Sequence, residues 1–138
     1  MKGSCLKMLQ ILLGLFILVA AHCFGDYVFQ NDFIAKKKYG SFLILFVHCI
    51  LYTSACLIGV FIVDLLIGMR LGDFQYFLIM MTLISSHYFV DVIKINTENR
   101  LKIDSEKVKI KYLWIDQIAH LAVILMIYFI LVVKSPWQ

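Results

Sequence analysis

The stretch SFLILFVHCILYTSACLIGVFIV (41–63) decides the fold. It runs from Ser41 to Val63 without an Asp, Glu, Lys or Arg. A bilayer core of about 30 Å needs roughly 20 such residues as helix, so the stretch reads as a transmembrane span. Working outward, three more stretches have the same character. One opens MLQILLGLFILVAA and covers 8–29. FQYFLIMMTLISSHYFVDVI covers 74–93, and LWIDQIAHLAVILMIYFILVV covers 113–133. Whole-chain composition agrees: the 138 residues are 62% hydrophobic and 16% charged, with a single proline. Soluble domains run at about 45–50% apolar and 25% charged, so a soluble globule is excluded. Disorder, a linker-rich chain, a collagenous chain and a disulfide-stapled toxin are excluded too. Helices satisfy their own backbone in lipid. The expectation is one all-α domain over 1–138, a four-helix transmembrane bundle.

The connectors carry the charge. They are QNDFIAKKKYG (30–40), GMRLGD (68–73) and KINTENRLKIDSEKVKIK (94–111). The alternation in LKIDSEKVKIK (101–111) suits a short strand or a frayed helix end, and the pattern alone leaves both open. Lys2 and Lys7, the apolar run to Val19 and the pair Ala20-Ala21 have the make-up of a secretory signal peptide. The polar residues just after Ala21 belong to a pattern repeated in the other spans, which favours a retained first helix. Four spans put the amino terminus, the middle connector and the carboxyl terminus on one side, with Lys2, Lys7, Arg70 and Lys134. The first and third connectors hold the other nine positive residues, Lys36, Lys37, Lys38, Lys94, Arg100, Lys102, Lys107, Lys109 and Lys111. The positive-inside rule then expects those connectors in the cytoplasm and both termini outside. Basic connectors also suit membrane lipid headgroups and a cytoplasmic partner at 94–111; nucleic acid is not expected.

The polar residues inside the spans hold the functional signal. Each histidine, His22, His48, His87 and His120, falls in a different span. Three have an aspartate four residues away: His22 with Asp26, His87 with Asp91, and His120 with Asp116. Residues at i and i+4 share a helical face. Alternate helices run in opposite directions, so positions late, early, late and early in the four spans lie at one end of the bundle. At about 1.5 Å per residue, His48, His87 and His120 sit roughly 10–15 Å inside the first and third connectors. A buried aspartate costs about 2.5–3.5 kcal/mol at a helix centre, so these carboxylates are expected to face inward.

Up to four imidazoles and three carboxylates, His22, Asp26, His48, His87, Asp91, Asp116 and His120, have the composition of a metal site. Zinc is the first expectation, iron or manganese the others, with room for two ions. Four-helix bundles build such sites from facing helices. A carboxylate among Asp26, Asp91 and Asp116 that does not hold the metal would serve as general base. The plainer reading is that each Asp hydrogen-bonds its own His; a proton relay is another.

Gln30 and Gln117 are expected to orient the ligands. Lys94 would either neutralise an anionic group or reach out to the interface. Tyr52, one turn from His48, would donate to it or simply pack. Asp64, near the outer end of the second span and outside the cluster, is expected to serve Arg70. Cys5, Cys23, Cys49 and Cys56 form no CxxC pair, and those in the spans read as small hydrophobes.

The elements HCFGDYVFQ (22–30), His48, HYFVDVIK (87–94) and DQIAH (116–120) together resemble the family known as domain of unknown function three-three-zero-seven. Its members typically open H-x-x-x-D-x-x-x-Q, carry a histidine in the second span, then H-x-x-x-D-x-x-K and a closing D-Q-x-x-H. All four elements stand here in order. The resemblance implies a multi-pass protein of the bacterial inner membrane, or of a phage or mobile element, and supplies no activity. The pattern is also distantly similar to membrane-bound metal-dependent hydrolases. The functions carried forward are a metal-dependent membrane hydrolase, a sensor, anchor or effector with a structural cluster, and a metal or proton transporter. The outer halves of the spans are almost purely apolar. That counts against a pore within one protomer and leaves a homo-oligomer as the way to form one.

Overall fold

The computed structural model describes residues 2–29, 32–101 and 105–133. Helix α1 spans Lys2–Cys23 and widens without a break into a π-helical turn, Phe24–Val28. A short α2 follows at Asp32–Lys37, then α3 at Phe42–Ile67, α4 at Asp73–Leu101 and α5 at Glu106–Val133. Four segments are long and apolar enough to cross a membrane: Cys5–Val28, Phe42–Ile67, Asp73–Leu101 and Lys107–Val132. There is no strand among the described residues, and the ambiguous stretch is helical from Glu106. The fold class is the all-α four-helix arrangement expected from the hydropathy.

At the third connector, two helices overrun the spans read from the sequence by seven or eight residues. α4 continues past Ile93 to Leu101, and α5 begins seven residues before Leu113. The added segments are rich in Lys, Glu and Arg, which favour helix and carry no breaker. The 29 residues of α4 rise about 44 Å, more than a 30 Å bilayer core, so the helix projects beyond it.

The bundle closes as a ring in which α1 packs on α3, α3 on α4, α4 on α5, and α5 back on α1. Packing between helices in lipid relies on close approach rather than on expelling water. The α1–α3 seam does this through small residues. A Cβ added at Gly59 would stand 2.7 Å from the Ala21 Cβ, and one at Gly25 would stand 3.0 Å from the Tyr52 Cα.

The interior divides by depth. Away from the lysine-rich connectors the core is aliphatic and aromatic, with Leu18, Val60, Val63, Leu83, Ile124 and Tyr128 buried together. The Tyr128 hydroxyl donates to the Ile11 carbonyl, and Gln10 Nε2 donates to the Leu66 carbonyl at 3.0 Å. Asp64 closes the α3–α4 turn instead of serving Arg70. Its carboxylate accepts from the Leu71 N–H at 3.3 Å and from the Tyr76 hydroxyl at 3.0 Å, while Arg70 is exposed. Large apolar side chains such as Phe42, Phe74 and Phe129 point outward, as lipid-facing residues do.

Candidate metal centre

All four histidines and the three aspartates paired with them by spacing are buried, none more than 7% exposed. They arrive at one depth from all four membrane-crossing helices. Two of the three i, i+4 pairs lie within ion-pair distance, His87 with Asp91 at 3.9 Å and His120 with Asp116 at 3.6 Å, whereas Asp26 turns away from His22. The π turn carries Asp26 across to α3 and α4, where its Oδ1 lies 3.4 Å from His48 Nε2 and 3.8 Å from His87 Nε2. Single wide turns of this kind inside α-helices recur at functional sites. They re-aim side chains that ordinary helical spacing would stack.

His48 Nε2 and His87 Nε2 stand 3.0 Å apart. Asp91 Oδ2 lies 3.7 Å from the first and 3.9 Å from the second. Ligand-type atoms of Asp26, His48 and His87 therefore form one compact group that could hold a metal ion. Those of His87, Asp91 and His120 form a second, sharing His87. In each group the atoms lie within 4.8 Å of one another.

His22 sits beside the groups with both ring nitrogens engaged. Gln117 Nε2 donates to Asp26 Oδ2 at 2.5 Å, which leaves Gln117 Oε1 to accept from His22 Nε2–H at 3.1 Å. His22 Nδ1 is then the acceptor for the Tyr52 hydroxyl, also at 3.1 Å. Tyr52, His22, Gln117 and Asp26 thus form a directional chain that holds one Asp26 oxygen and turns the other toward the histidines. Tyr52 serves His22 rather than His48, and its ring stacks on His87 with centroids 3.7 Å apart. Gly25 makes room for this contact, since its missing side chain lets the π turn lie against the Tyr52 backbone.

His120 Nδ1 donates to the Asp116 carbonyl at 2.8 Å, so its Nε2 presents a lone pair. Among the described residues that Nε2 is buried without a hydrogen-bond partner, as are Asp116 Oδ1, His48 Nδ1, His87 Nδ1 and Thr53 Oγ1. Leaving a buried polar group unpaired costs about 1–3 kcal/mol.

Two lysines complete the cluster. Lys94 Nζ donates to Asp116 Oδ2 at 2.8 Å, so Lys94 turns inward rather than reaching for the interface. Lys38 Nζ donates to Asp91 Oδ2 at 3.1 Å, with both side chains 5% exposed or less. Lys38 was missed by sequence reasoning, which read the three consecutive lysines as one topology signal. Among the described residues, the ion pairs of Asp26 are with imidazoles alone. Gln30 lies outside the described residues. Cys23 is exposed and Cys49 buried, and neither belongs to a metal-type group.

A cavity of about 250 Å³ adjoins the cluster at the lysine-rich end, bordered by Asp26, Asp116, Gln117, Lys38, Lys94 and Tyr39. Burial pushes the Tyr39 hydroxyl up to about 12, so it is a neutral hydrogen-bond donor at ordinary pH. The arrangement offers imidazole and carboxylate donors to a cation, two ammonium groups each paired with a carboxylate, and a space beside them.

No curated protein and no solved structure matches this chain. The family model described as "Protein of unknown function (DUF3307)" matches residues 14–138, which takes in all four helices and every residue of the cluster, and the chain belongs to that family.

Proposed function

We propose that this protein is a metal-dependent membrane hydrolase whose centre is a divalent ion, zinc first, held by Asp26 Oδ1, His48 Nε2 and His87 Nε2. One observation carries the reading: the three atoms are separated by 3.0, 3.4 and 3.8 Å. Tetrahedral zinc with bonds of 2.0–2.1 Å sets its donors about 3.3 Å apart, within that range. The donor set of two imidazoles and one carboxylate leaves a fourth position for water, the pattern of catalytic rather than structural zinc sites. Iron and manganese accept the same donor types. The ion also answers a charge problem. Asp91 and Asp116 have lysines, whereas the ion pairs of Asp26 among the described residues are with imidazoles.

A bound ion lowers the pKa of its water toward neutrality, which makes it a nucleophile. Asp91 Oδ2 lies within 4 Å of both imidazole nitrogens and is the carboxylate suited to take the proton, with Lys38 holding it in place. Asp116 and His120 stand behind it as further proton acceptors. The adjoining cavity supplies the approach for substrate. Transport fits less well, because beyond the cluster the interior is aliphatic and aromatic. The lysine-rich connectors support placing the centre near the cytoplasmic face of a bacterial inner membrane, with both termini outside.

A second reading, a structural network in a non-catalytic sensor or anchor, is favoured by the His48–His87 distance of 3.0 Å, which is also that of an N–H···N bond. Elemental analysis of protein purified without chelators separates the two. About one equivalent of zinc, iron or manganese is expected, lost in a folded His48→Ala/His87→Ala variant and kept in Asp91→Asn. A metal-free wild type that takes up none of the three when they are added would leave the structural network standing.

A further inference from the structure

We propose that the ligand of this centre is an anionic phosphate-bearing lipid, with its headgroup in the polar cavity beside Lys38 and Lys94 and an acyl chain in the groove between α4 and α5. Two separate hollows meet at one ion pair. The polar cavity, about 250 Å³, is bordered by Lys38, Lys94, Tyr27, Tyr39 and Gln117 together with Asp26 and Asp116. The second hollow, about 190 Å³, runs between α4 and α5 and is lined by Val90, Ile93, Ile115 and Ala119. Lys94 and Asp116 line both, and their 2.8 Å contact separates the polar space from the apolar one.

An amphiphile fits this juxtaposition better than a soluble anion does. Ile93 and Ile115 are exposed on the surface that faces lipid, so a chain can enter the groove sideways from the bilayer. The headgroup then lies at the lysine-rich end, where the bundle meets the headgroup layer. Lysine is a common phosphate binder, acting as a point charge, and phenol and amide N–H or O–H groups add donors. With Asp91 and Asp116 each paired to a lysine, a divalent ion on Asp26 leaves one net positive charge beside the cavity, so the space favours an anion. This inference names the substrate class for the centre proposed above and rests on that reading for its chemistry, while binding itself is a separate observable.

The test uses the full chain in a non-ionic detergent, with metal content measured on the same sample. Native mass spectrometry follows retention of phosphatidylglycerol, with phosphatidylcholine, inorganic phosphate and glycerol phosphate as comparisons. Phosphatidylglycerol is expected to outlast phosphatidylcholine, and neither soluble phosphate should displace it. Loss of one charge-assisted contact in Lys94→Gln should weaken retention about tenfold or more. Lys94→Gln orphans Asp116 and can misfold, so Ala119→Phe, which fills the groove, provides an independent variant. It should lower lipid retention and leave the metal equivalents unchanged. Equal retention of both lipids, or retention unaffected by Ala119→Phe, would overturn the proposal. Displacement by inorganic phosphate would overturn it in favour of a soluble anion. Metal retained without lipid selectivity refutes this inference alone; lipid selectivity without metal refutes the hydrolase reading and leaves lipid binding in place.

Discussion

Replacing Lys38 by methionine should destabilise the protein far more than the same change at its neighbour Lys37. The Lys38 ammonium lies 3.1 Å from Asp91 Oδ2, and the two side chains are 5% and 2% exposed. At an effective dielectric of about 20, that separation corresponds to roughly 5 kcal/mol of attraction, most of it offset by the cost of desolvating both groups. Removing only the lysine leaves the desolvation of Asp91 uncompensated, so the expected loss is about 3–5 kcal/mol. For a chain of this size that is a fall in melting temperature of roughly 10 °C or more. Lys37 is exposed, and Lys37→Met should change stability by no more than about 0.5 kcal/mol. Cys49 and Cys56 are fully buried and provide a built-in reporter. In a Cys5→Ser/Cys23→Ser background, a thiol-reactive dye reads their exposure as the bundle opens on heating. The double change Lys38→Met/Asp91→Leu should recover much of the loss, because it removes both charges together. Equal melting temperatures for Lys38→Met and Lys37→Met would refute the buried pair.

Gly59→Ala should cost about 1–3 kcal/mol, since its Cβ would meet the Ala21 Cβ at 2.7 Å. Gly40→Ala, with nothing within 4 Å, should leave the same thermal transition unmoved. His22→Phe removes a residue that orients Asp26 without itself holding the ion, so metal affinity should fall about 10–100-fold, less than in His48→Ala, which removes a ligand; competition with a chelating dye measures both. The neutral Tyr39 phenol is favoured by folding, because its pKa of about 12 lies above the usual value of 10. Its contribution to stability should be complete below about pH 10 and fade as the pH rises toward 12, so Tyr39→Phe should make the decline shallower in thermal unfolding followed against pH.

Much of this architecture is written in the residue order. Four apolar stretches give four helices, because backbone in lipid has few alternatives. The convergence of His22, His48, His87 and His120 at one end follows from alternating helix direction alone. Spacing also pairs His87 with Asp91 and His120 with Asp116, but it could not supply the partners of Asp26 or of the lysines. The i, i+4 rule puts Asp26 beneath His22, but the π turn at Phe24–Val28 swings it toward His48 and His87. Gly25 in that segment is the one local hint, being small enough for the turn to lie on Tyr52. The inward turn of Lys38 was hidden for another reason. Three consecutive lysines look alike in sequence, and only the short helix Asp32–Lys37 and the turn after it decide which one reaches Asp91. The helical extensions at Leu101 and Glu106 follow from the Lys, Glu and Arg content of those segments, which hydropathy does not register.

X-ray absorption at the zinc edge, on zinc-loaded protein in detergent, tests the central claim most directly. The expected spectrum has about four nitrogen or oxygen neighbours at 2.0–2.1 Å, with outer-shell scattering from two imidazoles, reduced to one in His48→Ala. A sulfur neighbour near 2.3 Å, or a spectrum of hexaaqua zinc indifferent to changes at His48, His87 and Asp26, would contradict it.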